Sequence, residues 1–106
     1  MKFGLRVLED ADADVDELAT FLGGESIDAA MRFCEAIPKT YVKIADQPMV
    51  YARYLKYDDA APHIRMCPVV GFPNYLVFFL IDADMVEILR VLHGSRDIRA
   101  ILVDEE

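Results

Sequence analysis

The sequence predicts an α+β fold of order β-αα-βββ, a helical hairpin packed on one face of a small, mainly antiparallel sheet. Three observations predict it. Residues 75–81, YLVFFLI, are apolar at every position and rich in aromatic and β-branched side chains, as in a central strand covered on both faces. Asp82-Ala83-Asp84 separates that run from a second apolar run, so the two close as a hairpin. Upstream lie two stretches with helical apolar periodicity, divided by Gly23-Gly24.

Taken in order, residues 2–8 alternate, with Phe3, Leu5 and Val7 on one side, and start the sheet. Residues 9–16 are acidic; Asp12 or Asp14 can cap a first helix whose stripe is Val15, Leu18, Ala19 and Leu22. The acid run reads as a solvated helix start in preference to a metal site. Ser26 caps a second helix from Ile27 to about Asp46, buried through Ala30, Phe33, Ile37, Tyr41 and Ile44, with a kink expected at Pro38. Residues 49–63 are irregular, with Tyr51, Tyr54 and Tyr57 among Arg53 and Lys56. Such aromatics can stack on nucleotides or cover a sheet edge. Residues 64–69 form a strand that Pro68 assigns to an edge or a strand end, and Gly71-Phe72-Pro73-Asn74 turns into the central strand. In the last strand, residues 85–92, alternation puts Val86, Ile88, Arg90 and Leu92 on one face and Glu87, Leu89, Val91 and His93 on the other. A guanidinium on so apolar a face needs a partner, water at a cleft, or a ligand. Residues 95–102 add a helical turn, and 103–106 a frayed tail. The sheet face away from the hairpin is expected to stay partly open.

At 106 residues the chain reads as a single domain, residues 1–106. The absence of a basic-then-apolar leader predicts a cytoplasmic protein, and the longest apolar run is too short to span a bilayer. Cys34 and Cys67 lack metal-ligand spacing and read as small buried residues. The net charge is −8: nine acids face three bases in residues 1–35, seven face eight in 36–102, and the last four residues add three acids. Such a field works against non-specific attraction to nucleic acid, so a polyanion must be met at a local basic patch.

No phosphate loop, zinc spacing or nucleophile–base pattern occurs, and no cofactor is expected. His63 and His93 are the only imidazoles, and a lone imidazole is more often structural than catalytic. RNA cleavage by oriented bases is conceivable if the fold gathers Arg53, Lys56, Arg65, Arg90, His93 and Arg96.

The string ILRVLHGSRDI (88–98), preceded by GFPNYLVFF (71–79), with AAMRF (29–33) and IADQP (44–48) upstream, closely resembles ParE-type toxins of the RelE/ParE superfamily, commonly labelled plasmid stabilisation system proteins. The resemblance covers nearly the whole chain and implies the same β-αα-βββ order. It implies the toxin of a type II toxin–antitoxin pair, neutralised by a cognate antitoxin whose C-terminal segment wraps helices and sheet. ParE toxins poison DNA gyrase, and because the hairpin end is the only dense basic cluster of the sequence, Arg90, His93, Arg96 and Arg99 are expected near the target contact. RelE relatives cleave mRNA on the ribosome; that resemblance gives phosphate stabilisation to Arg65 and Arg90, and His93 is the candidate acid or base beside them. A third possibility is an inactive member that only binds antitoxin. Two departures bear on the choice. No tyrosine follows Tyr75 and the 52–56 region lacks a dense lysine cluster, unlike many ribonucleases of the superfamily; and the chain is acidic where most of these toxins are basic.

Overall fold

The computed structural model describes residues 2–54 and 63–103. Strand β1 (Gly4–Val7) leads into helices α1 (Glu9–Gly23) and α2 (Ile27–Asp46) and a 3-10 turn at Pro48–Val50. Strands β2 (Arg65–Val69), β3 (Phe72–Asp82) and β4 (Met85–His93) follow, then helix α3 (Ile98–Val103). The four strands form one sheet in the order β1-β4-β3-β2, with β1 parallel to β4 and the other pairs antiparallel.

Ser26 caps α2 as expected, its Oγ accepting the Ala29 N–H at 3.1 Å. The inner stripe is buried at Phe33, Ile37, Tyr41 and Ile44, and the helix runs on through Pro38. Helix α1, in contrast, begins at Glu9 after Leu8, which supplies no side-chain cap. Glu9, Asp10 and Asp12 occupy the first turn, where carboxylates oppose the helix dipole, so neither Asp12 nor Asp14 is the cap. Asp14 is instead buried.

The principal core lies between the helices and one sheet face. Phe33 and Ile44 of α2 meet Val77 and Phe79 of β3 and Val86, Ile88 and Val91 of β4, all fully buried. A smaller core occupies the opposite face, where Ile98, Ile101 and Leu102 of α3 pack with Phe78, Leu92 and Ile64. The C-terminal turn thus covers part of the face expected to be open. Residues 72–74, expected in a turn, already belong to β3; the turn is tighter, with Gly71 at φ +79°. The β3–β4 loop holds Ala83 at φ +58°.

Strand β2 is an edge strand, and Pro68 lies exposed on it, where a missing N–H costs no ladder bond. Residues 51–54 straddle that edge. The Tyr54 N–H reaches the Ile64 carbonyl at 2.7 Å, and the Met66 N–H reaches Ala52 at 3.2 Å. The Tyr51 ring meets Phe79 edge-on while Tyr54 meets Phe78, one on each face. Edge cover is therefore the use of these two tyrosines; Lys56 and Tyr57 lie outside the described residues. Cys67 is buried, but Cys34 is exposed on α2, because its position falls outside the inner stripe.

Candidate functional site

The last strand does not alternate as its sequence suggests. Phe78 pairs with Arg90 but the next residue, Phe79, pairs with Ile88, so Leu89 is an extra residue in β4. This bulge resets the pattern. Val91 joins Val86 and Ile88 in the helix-side core, while Leu92 joins the α3 side. Leu89 and Arg90 together line a shallow cavity of about 180 Å³ with Leu8, Asp10, Ile101 and Leu102.

The same place is where β4 loses its neighbour. The β1 ladder ends at Val7 opposite Ile88, and the Leu8 N–H closes it on the Ile88 carbonyl at 3.0 Å. Beyond that point Asp14 of α1 takes over the edge. Its Oδ2 accepts the Val91 N–H at 2.9 Å and Arg90 Nε at 2.7 Å, and its Oδ1 accepts Arg90 Nη2 at 2.8 Å. One carboxylate thus satisfies a buried amide and a two-pronged guanidinium. The hydrogen bonds to Asp14 hold Arg90 protonated beyond even the ordinary guanidinium range; burial works against this, and the charges of Asp14, Asp10 and Glu17 add to it.

His93 ends β4 on the helix side, with its ring edge-on to Tyr75 at 4.9 Å. The Ser95 N–H donates to His93 Nδ1 at 3.0 Å, and Ser95 Oγ lies 2.8 Å from the same nitrogen. A backbone amide can only donate, so Nδ1 is the acceptor and the proton of the neutral ring sits on Nε2. His93, Ser95 and Arg96 form the lip of a cavity of about 340 Å³ whose other walls are Tyr75 and, from α1, Glu17, Leu18 and Phe21. Arg99 is exposed on α3.

Arg65 lies elsewhere. It pairs with Phe79 on β2, so it leaves the sheet on the face opposite to Arg90, and its Nη1 donates to the carbonyls of Tyr51 at 2.6 Å and Met49 at 3.4 Å. The fold therefore brings His93 and Arg96 to one cavity but gathers neither Arg65 nor Arg90 with them. Arg53 bridges to Arg65 through backbone only. His63 is exposed beside the segment that lies outside the described residues.

The residue missed by sequence reasoning is Asp14. In an acidic run it looks like one solvated charge among several. Yet Ala11, Asp14 and Leu18 recur at helical spacing on the core side of α1, and that periodicity is the signal that marks it.

Residues 5–98 match the family described as ParE toxin of type II toxin-antitoxin system, parDE. The chain belongs to the ParE toxin family. No curated protein matches it. Two solved structures share the ParE-like fold. A chain of the chromosomal ParDE TA system from P. aeruginosa is 17% identical with a TM-score of 0.68, the alignment covering 87% of this chain and 96% of that one. The conserved hypothetical protein HP0894 from Helicobacter pylori, determined in solution, is 18% identical with a TM-score of 0.56, covering 89% and 97%. At such identities the likeness is one of fold. The family assignment fixes a type II toxin–antitoxin context for this ParE-family chain. Among the described residues, no helix is long and apolar enough to cross a membrane, and no three His, Cys, Asp or Glu side chains are grouped to hold a metal.

Proposed function

We propose that this chain is the toxin of its pair and arrests growth by binding a protein target such as DNA gyrase, and that a cognate antitoxin neutralises it in the cytoplasm. The observation that carries the reading is the separation of its bases. RNA cleavage needs Arg65, Arg90 and His93 around one phosphate, but Arg65 is bonded to the Tyr51 and Met49 carbonyls and Arg90 to Asp14, on opposite sheet faces. What remains beside His93 is an open cavity whose lining mixes Leu18, Phe21 and Tyr75 with Glu17, Ser95 and Arg96, a combination of apolar and charged groups suited to a protein side chain. The net charge of −8 points the same way, since it opposes approach to RNA. In this reading His93 and Arg96 touch the target, Arg99 extends the contact on α3, and Arg90 positions the strand end through Asp14.

The test is a supercoiling assay with purified chain and gyrase, beside induced expression with transcript mapping. Inhibition that falls at least tenfold in Arg96→Ala, whose exposed side chain the fold does not need, is the expected result. Intact supercoiling together with cleaved transcripts overturns the reading.

A further inference from the structure

The cavity beside His93 is bounded by opposite charges that do not meet. Glu17 stands on its α1 wall and Arg96 on the turn after β4, and among the described residues neither forms an ion pair. The neighbour that could neutralise Arg96 is engaged elsewhere. Asp97 accepts the Ala100 N–H through Oδ1 at 3.4 Å and the Ile101 N–H through its carbonyl at 3.2 Å, at the start of α3. With Nδ1 accepting the Ser95 N–H, His93 keeps Nε2–H as a second donor on the same lip. Glu17 adds to the field at Arg90, but that guanidinium is already held by both oxygens of Asp14.

The rest of the lining is largely apolar. Phe21 lies one helical turn after Glu17, and its ring is 64% exposed; Leu18 and Tyr75 complete the walls. The turn that carries Arg96 is tied down before any ligand arrives, with the Gly94 N–H bonded to the Asn74 carbonyl at 2.8 Å and the Arg96 N–H to the His93 carbonyl at 3.0 Å. The cavity, about 340 Å³, is at the small end of ligand sites, which run from about 300 to 1,000 Å³, so it takes a few side chains of one segment and not a folded element. Charge then selects the segment. A purely acidic one would meet Glu17 and the field of a chain at −8, and a purely basic one would meet Arg96. We infer that the cavity reads a charge pair on the target: an acidic side chain on Arg96 and His93 Nε2–H, a basic one on Glu17, and an apolar or aromatic one between them against Leu18, Phe21 and Tyr75. This rests on the target-binding reading above and adds the chemistry of the bound segment, with Glu17 as its specificity-determining residue.

The probe is a blocked peptide, Glu-Gly-Phe-Gly-Lys, whose alternate spacing puts its three side chains on one side when extended. It is titrated into the full chain by NMR, following the amides of Leu18, Ser95 and Arg96, beside two versions in which Gln replaces the Glu or the Lys. Each replacement is expected to weaken binding about threefold or more, the scale of one exposed charge pair. The variants give a crossed pattern: Glu17→Gln abolishes the preference for Lys and keeps that for Glu, Arg96→Gln does the opposite, and Lys39→Gln on α2 changes neither. Preferences that survive both cavity variants, a loss of both preferences in either one, or no shift at those amides overturns the inference. Self-association of the chain through the cavity in sedimentation overturns it as well. Growth arrest on induced expression is read separately: arrest without peptide binding removes the charge-pair site and leaves the toxin reading, whereas crossed preferences without arrest do the reverse.

Discussion

Replacing Arg90 by alanine strands a carboxylate. Asp14 has a side chain only 7% exposed and keeps one partner, the Val91 N–H, once the guanidinium is gone. Removing one member of a buried ion pair costs about 3–5 kcal/mol. The Arg90 side chain is 26% exposed, so water reaches part of the vacated space, and we expect about 2–3 kcal/mol here. For a chain of this size that is a fall in Tm of about 10 °C. Asp14→Ala loses the partner of a buried amide but leaves an arginine that can turn toward solvent, and should cost about 1–2 kcal/mol. The decisive measurement is the cycle by urea denaturation. In the Asp14→Ala background, Arg90→Ala should cost less than about 0.5 kcal/mol, giving a coupling of about 2 kcal/mol. If Arg90→Ala costs the same with and without Asp14, or costs nothing in either, the carboxylate is not what the guanidinium serves.

Tyr41 is buried and its hydroxyl has no hydrogen-bond partner among the described residues, so Tyr41→Phe should change stability at neutral pH by less than about 0.5 kcal/mol. Burial first, then the charges of Asp12 and Asp14, raise its phenol well above the ordinary 10.0. A raised folded-state pKa makes a contribution that is complete below 10.0 and is lost as pH climbs through the folded value, so the Phe variant should lose less stability above pH 10; identical alkaline limbs would contradict this. Thr40 is fully buried, donates to the Ala36 carbonyl at 2.7 Å and accepts the Val70 N–H at 3.0 Å. The isosteric Thr40→Val strands that amide and should cost about 1–2 kcal/mol in urea denaturation, and an unchanged midpoint would show that the amide finds another acceptor.

Local periodicity made much of the fold legible. The uniformly apolar, aromatic and β-branched run at residues 75–81 has the pattern of an interior strand, the Ser26 cap and the stripe of α2 are local features, and Pro68 narrowed its own strand to an edge or a strand end. The helix start at Glu9 was missed because several acids compete for one cap and Leu8 needs none. The site was legible only in part. His93 and Arg96 are close in sequence, and a tight turn after β4 keeps them close in space. That Arg90 needed a partner followed from its apolar surroundings, but nothing in the order of residues says which of the nine acids in residues 1–35 supplies it.

The sequence by itself determined the elements, their order and the charge imbalance, because each depends on neighbours a few residues apart. Only the tertiary structure decided that β1 stops opposite Ile88, that the bulge at Leu89 turns Arg90 to the α3 side, and that Asp14, 76 residues away, closes the exposed edge. The physical reason is that a hydrogen-bond vacancy on a sheet edge exists only after the strands are assembled, and the carboxylate that fills it is chosen by where a helix lands.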